Sequence, residues 1–264
     1  MMTGDKPVRA GVLVISHGSP DPHWVELVDE AVAAAAAGLP DGLPIEAAFL
    51  ETVEGRLIQD GVDRLEAQGV SDLIVIPLFV SSGSTHIDEI AYAFGVKNTP
   101  EKETDMERLR CSARVFFGDP IDDDPVIAEM VWDKVKPLSM DPGREVLLLV
   151  GHGSIHDGFR QRWERGISSL AAHTGEVSGL AHADYALLNP DSVRRKVGYW
   201  SEERGLTVLV APLFLSAGYF TKTAIPSRLA GLNFRYSGEA LLPHPFLSRW
   251  MSGQILNIMG SMER

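Results

Sequence analysis

GVLVISHGSP, residues 11–20, returns as VLLLVGHGSI at residues 146–155, each an apolar run that ends in a His-Gly-Ser turn. Recurrence after about half the chain points to a duplicated domain. The repetition continues: IVIPLFVSSGSTH, residues 74–86, is matched by VLVAPLFLSAGYFT, residues 208–221. A weaker pair joins DDPVIAEMVWDKV near residue 124 to PHPFLSRWMSGQI near residue 244. Both halves thus read strand, helix, strand, helix, strand, with the last strand ending in Pro-Leu-Phe.

In the first half the spacing predicts strands at 10–16, 43–51 and 72–79 and helices from about Trp24 to Ala37 and within residues 55–69. In the latter helix Leu57, Ile58, Val62 and Leu65 recur at helical spacing and Gly69 supplies a stop. The second half repeats the order with EVLLLVGHG, a helix in FRQRWERGISSLAAHTG, a strand near HADYALL, a helix near 190–203 and the strand LTVLVAPLF. Apolar strands without alternation, joined by helices, belong to a parallel sheet covered on both faces. The fold class is therefore α/β with two duplicated domains, residues 1–140 and 141–264, and SMDPGRE at 139–145 carries the Pro and Gly of a boundary. The polar run 97–110 lacks a counterpart and reads as a surface insertion, a loop or part of a helix.

The chain has 264 residues, 45% hydrophobic and 23% charged, an ordinary globular composition for two cores. Its formal charge of -12, without a basic block, argues against nucleic acid as a partner. A single cysteine, Cys111, cannot form an intrachain disulfide, which fits a reducing compartment. The N-terminal MMTGDKPVRA lacks a signal-peptide core and no apolar run is long enough to cross a bilayer, so a cytoplasmic location without membrane contact is expected.

Ligands of open parallel sheets bind beyond the carboxyl ends of the strands. His17 follows the first strand, Glu51 closes the second and His86 follows the third, so all three can converge at one sheet edge. Imidazoles there can coordinate a divalent metal, and imidazole or carboxylate can receive protons. Taken alone, the His-Gly-Ser triplet equally fits a turn histidine bonded to backbone. In the second half His152 remains, Leu187 stands approximately where Glu51 does, and Gly218, Tyr219, Phe220 and Thr221 occupy the neighbourhood of His86. Only the first half has all three groups.

These residues bear a further reading. HGS after the first strand, FLE at 49–51 and PLFVSSGSTH at 77–86 resemble the class II tetrapyrrole chelatases of the CbiX and SirB type, over nearly the whole chain. THIDEI, residues 85–90, is also similar to a segment of protoporphyrin ferrochelatases. The resemblance implies insertion of Co²⁺ or Fe²⁺ into a sirohydrochlorin-like tetrapyrrole for cobalamin or sirohaem synthesis, without ATP. It implies catalytic His17, Glu51 and His86, with His17 and His86 as metal ligands, and a second domain that completes the cleft. No permanent organic cofactor is expected: the divalent metal, cobalt or iron, is a substrate. The chain would act as a monomer or homodimer. The first half departs from the pattern by one extra residue before His86, whereas AGYFTKTAIP at 217–226 keeps the spacing without the histidine. A tetrapyrrole or metal carrier on the same scaffold is the alternative.

Other groups carry simpler readings. Glu89 can orient His86 or be a solvated acid at a helix start. Asp119, Asp122, Asp123 and Asp124 lack calcium-loop spacing and suit a helix cap or polar turn. Trp24, Phe159 and Trp163 could line a macrocycle cleft, though core packing explains them more economically. Arg56, Lys97 and Lys222 are candidate contacts for peripheral carboxylates or ordinary surface charge, and His244 is a possible surface metal contact. His23, His156, His173 and His182 form no constellation, and Ser19 beside His17 lacks the elbow of a serine hydrolase.

Overall fold

The computed structural model describes residues 9–262, so the start of the N-terminal segment read above lies outside the described residues. In chain order the first part comprises β1 (Ala10–Ser16), α1 (Pro22–Ala36), β2 (Ile45–Phe49), α2 (Ile58–Ala67), β3 (Asp72–Pro77), α3 (Thr85–Ala93), β4 (Arg114–Phe117) and α4 (Pro125–Val135). The second comprises β5 (Glu145–Gly153), α5 (Asp157–Ser178), β6 (His182–Asn189), α6 (Val193–Gly198), β7 (Thr207–Pro212), α7 (Ile225–Leu229), β8 (Arg235–Tyr236) and α8 (Pro245–Met262).

Two four-stranded sheets result, ordered β2-β1-β3-β4 and β6-β5-β7-β8, with every pairing parallel. Val12 to Ile15 and Val146 to Val150 are fully buried, as central strands covered on both faces require. The chain steps from β1 to β2 on one side and then to β3 on the other. This reversal makes a switch point between β1 and β3, and its twin lies between β5 and β7.

Helix starts follow local chemistry. Asp21 accepts from the His23 amide at 3.0 Å ahead of Pro22, and Asp124 accepts from the Val126 amide at 2.9 Å ahead of Pro125. The acidic cluster before α4 is thus a cap, joined by Asp122, whose carboxylate accepts from the Ser82 amide at 2.8 Å. The edge strands β4 and β8 had no strong signal: at four and two residues they are too short to show a pattern. Residues 97–110 form an ordered irregular loop. Buried Asp88 holds it by pairing with Lys97 and accepting from the Glu101 amide at 2.7 Å, and Arg108 donates to the Tyr92 and Asn98 carbonyls.

The compact units cut the chain differently from the expected boundary near residue 140. One unit falls within Met1–Leu78, His86–Asp119 and Met251–Arg264, the other within Phe79–Thr85 and Pro120–Trp250. Helix α4, sequentially part of the first repeat, packs on α5 and so belongs to the second unit. The divergence arises because the repeat follows sequence, whereas helices group by the apolar face they cover.

SMDPGRE is pinned rather than loose. The Glu145 carboxylate, 1% exposed, accepts from the Met140 and Asp141 amides at 2.8 and 3.1 Å, from the Ser139 hydroxyl, and from Arg235 Nη1 at 2.7 Å. Burial pushes this carboxyl up, but those four donors outweigh it and hold it below its ordinary value of 4.5. The resulting stability is present above that value and is lost as pH falls through the lower folded one. Glu145→Ala should cost about 3 kcal/mol in urea denaturation at neutral pH, since it removes the shared acceptor of the Met140 and Asp141 amides, the Ser139 hydroxyl and Arg235, and less under acid conditions.

Candidate active site

At the switch point of the first sheet, Ser16 ends β1 and the pairing with β2 runs on past both strands. The Leu50 amide donates to the Ser16 carbonyl at 2.9 Å and the Glu51 amide to the His17 carbonyl at 3.1 Å. Gly18 makes this possible. Its φ is +98°, and a Cβ there would lie 2.1 Å from the Glu51 carbonyl oxygen, so only glycine lets the two chains approach. Glu51 lies two residues beyond β2, and its carboxylate is 3.7 Å from His17 Nδ1.

His86 comes from the first turn of α3, beyond β3, and its ring meets that of His17 edge-on, centroids 4.9 Å apart at 73°. The three sequence candidates are therefore together, at the carboxyl edge of one sheet. His17 Nδ1 lies 3.1 Å from the Gly18 carbonyl oxygen, and His86 Nδ1 lies 3.2 Å from Glu89 Oε2. A carbonyl or carboxylate can only accept, so in both contacts Nδ1 is the donor. Glu89 shares the α3 face as its i,i+3 spacing requires, and it is the more enclosed of the two acids, 18% exposed against 57% for Glu51. Among the described residues no group of three or more His, Cys, Asp or Glu could hold a metal ion. The site therefore offers a pair of imidazoles flanked by carboxylates, not a closed cage.

The second sheet corrects one equivalence. Gly153 pairs with Asn189 in register, its φ is +76°, and a Cβ there would lie 2.1 Å from the Asn189 carbonyl oxygen. Asn189, not Leu187, is therefore the counterpart of Glu51; the register pairs Leu187 with Gly151, as it pairs Phe49 with Ser16. The counterpart of His86 is Phe220, whose ring meets His152 edge-on at 5.1 Å and 88°. The extra residue before His86 accounts for the offset. His152 keeps its own contact, Nδ1 to the Gly153 carbonyl at 3.0 Å.

The remaining candidates resolve into structural roles. Phe159 and Trp163 are 4% and 6% exposed and pack in the core, and Trp24 contacts Phe49. Arg56 forks onto Asp29 at 2.6 and 2.8 Å, and Lys97 pairs with Asp88 and Glu101. His244 sits 3.7 Å from Asp133, where burial and Lys134 lower its pKa. Residue pattern alone does not rank Glu89 above a solvated acid, because its partner depends on where α3 starts.

Comparison with known proteins agrees with the geometry. The sirohydrochlorin cobaltochelatase of Methanococcoides burtonii is 27% identical over 129 residues, 48% of this chain and 94% of that protein. The sirohydrochlorin ferrochelatase of Bacillus subtilis is 22% identical over 214 residues, 80% of this chain and 76% of that protein. The structure of SirB from Bacillus subtilis with Fe³⁺ has the same fold, with a TM-score of 0.75 at 18% identity, covering 97% of this chain and 98% of that one. The CbiX family model matches residues 11–138 and again residues 146–255, one match to each repeat, and the chain belongs to that family.

Proposed function

We propose that this protein is a sirohydrochlorin chelatase, a lyase that inserts Co²⁺ or Fe²⁺ into sirohydrochlorin, and that His17, His86 and Glu51 carry the reaction. The observation that carries the residue assignment is the edge-on pair of imidazoles at the switch point, each with Nδ1 held by an oxygen acceptor. A substrate metal must be held and then surrendered. Two imidazole ligands suit that task better than a closed four-ligand site, which would retain the ion.

Insertion exchanges one dication for two pyrrole protons, so charge balances without phosphoryl transfer. As the four metal-nitrogen bonds to the macrocycle form, its two pyrrole N–H groups lose their protons and the two histidine-metal bonds are released. Glu51, more than half exposed and 3.7 Å from His17, can take such a proton and pass it to bulk water. Glu89 fixes the His86 ring through a carboxylate-imidazole bond, the usual way a ligand histidine is oriented. Holding metal and macrocycle together supplies most of the orientation that the uncatalysed encounter lacks.

Absorbance-monitored insertion of Co²⁺, Fe²⁺ and Ni²⁺ into sirohydrochlorin under anaerobic conditions tests this reading. Wild-type protein should turn over many times, and His17→Ala or His86→Ala should lower the rate by about 100-fold or more. Stoichiometric binding without acceleration would instead identify a carrier. Glu89→Ala should weaken Co²⁺ binding by about tenfold, with Glu89→Gln, which retains an acceptor oxygen, restoring part of the loss. Isothermal titration reads both, and equal affinity in all three proteins would remove Glu89 from the positioning role.

A further inference from the structure

Among the described residues only two that are not glycine carry a positive φ, Thr52 at 65° and Asp122 at 43°. Aspartate is enriched several-fold in that region, whereas a β-branched residue is an outlier there. Thr52 directly follows Glu51, the carboxylate beside His17.

The chain reverses at this one residue. The Val53 amide donates to the Glu51 carbonyl at 2.9 Å, a bond from i+2 to i across Thr52, and with a positive φ at its centre this is the rare, strained form of γ-turn. The Arg56 amide then donates to the Val53 carbonyl at 3.1 Å, and the Phe49 amide to the Arg56 carbonyl at 2.9 Å, which closes the loop back onto the end of β2. Glu51 is thus gripped on both sides of its Cα: its amide by the His17 carbonyl at 3.1 Å and its carbonyl by Val53. Only its carboxylate is left open to water, at 57% exposure.

Glycine would take such a turn without strain, as Gly55 does in the same loop at a φ of 73°. The residue present is threonine, and its side chain has a contact to make. The Cβ that Gly18 lacks would lie 3.2 Å from Thr52 Oγ1, so this side chain stands against Gly18, next to the Glu51 carbonyl. Two heavy atoms on Cβ leave χ1 few choices, which makes the contact stiff. The second repeat serves as an internal control. Pro190 follows Asn189, the counterpart of Glu51, and among the described residues of that repeat only glycines have a positive φ. Strain of this kind stands beside the acid and not beside the amide, as expected where it holds a working group in place.

We propose that Thr52 is a positioning residue for Glu51: its strained turn and branched side chain, braced on Gly18, hold the Glu51 carboxylate beside His17 as the acceptor of substrate protons. This rests on the reading of Glu51 as a base in metal insertion. A relaxed turn would let the exposed carboxylate swing into water and lose the orientation that proton transfer needs.

The test compares wild type with Thr52→Gly, Thr52→Val, Glu51→Gln and the Glu51→Gln, Thr52→Gly double variant, all in the whole chain. Glycine accepts the positive φ, so Thr52→Gly keeps the fold and removes the brace, whereas Thr52→Val keeps the branch and removes the hydroxyl. In Thr52→Gly, kcat for insertion into sirohydrochlorin should fall about tenfold while calorimetric Co²⁺ affinity holds, because the imidazoles are untouched. Thr52→Val should recover most of the loss. In the Glu51→Gln background Thr52→Gly should cost nothing further, since the brace acts through that carboxylate. An equal loss in both backgrounds marks a merely structural turn and overturns the proposal. A Thr52→Gly rate within about twofold of wild type also overturns it. So does a Thr52→Val loss as large as that of Thr52→Gly, which would make the hydroxyl the working group.

Amide exchange in the metal-free protein, followed by NMR, reads the brace without substrate. The Glu51 amide should exchange about tenfold faster in Thr52→Gly, with the amides inside β1 unchanged. Wild type that fails to insert any metal removes the chelatase reading, and exchange then decides the brace by itself: an unchanged Glu51 amide overturns it.

Discussion

The close backbone approach at Gly18 is the constraint on which the candidate site depends. With φ at +98° the chain turns so tightly that residues 50 and 51 continue to hydrogen-bond to residues 16 and 17 after both strands have ended. That contact brings Glu51 beside His17 although 34 positions separate them in sequence. A side chain at Gly18 would strike the Glu51 carbonyl, and the positive φ would add strain of its own. The same device recurs at Gly153 and Asn189, which is why the His-Gly-Ser turn persists in the second repeat after the other site groups have gone. His152 there keeps its contact with the Gly153 carbonyl and meets the Phe220 ring.

Duplication explains how one fold can hold two different edges. Both sheets share strand order, parallel register and the position of the switch point. A ligand set at a sheet edge is made of side chains beyond the strands, so it can change without disturbing the buried runs Val12–Ile15 and Val146–Val150 beneath it. Conversely the helices are freer than the strands: α4 covers the second unit's core, so the sequence repeat and the folded unit do not coincide.

Much of this was legible from the chain itself. Apolar runs without alternation gave the six long parallel strands, and the His-Gly-Ser turns gave the two strand ends. The convergence of His17, Glu51 and His86 followed from placing each at a strand terminus. What escaped were features set by register or packing. The edge strands Arg114–Phe117 and Arg235–Tyr236 are too short for a periodic signal. The match of Glu51 to Asn189 needs the strand pairing, since similarity of the flanking residues misplaces it by two positions. Likewise the aromatics that looked apt for a macrocycle, Phe159 and Trp163, lie in the core, and those that are exposed, Tyr219 and Phe220, sat in a segment noted only for its missing histidine.

On the reading proposed above, one pair of imidazoles, in the first repeat alone, holds the substrate metal. X-ray absorption of the protein loaded with one equivalent of Co²⁺ addresses it directly. The expected result is a cobalt bound by two imidazole nitrogens with oxygen donors completing the shell, and loss of the imidazole signal in the His17→Ala, His86→Ala double variant. An imidazole signal that survives in that double variant, or that vanishes only when His152 is replaced, would contradict it.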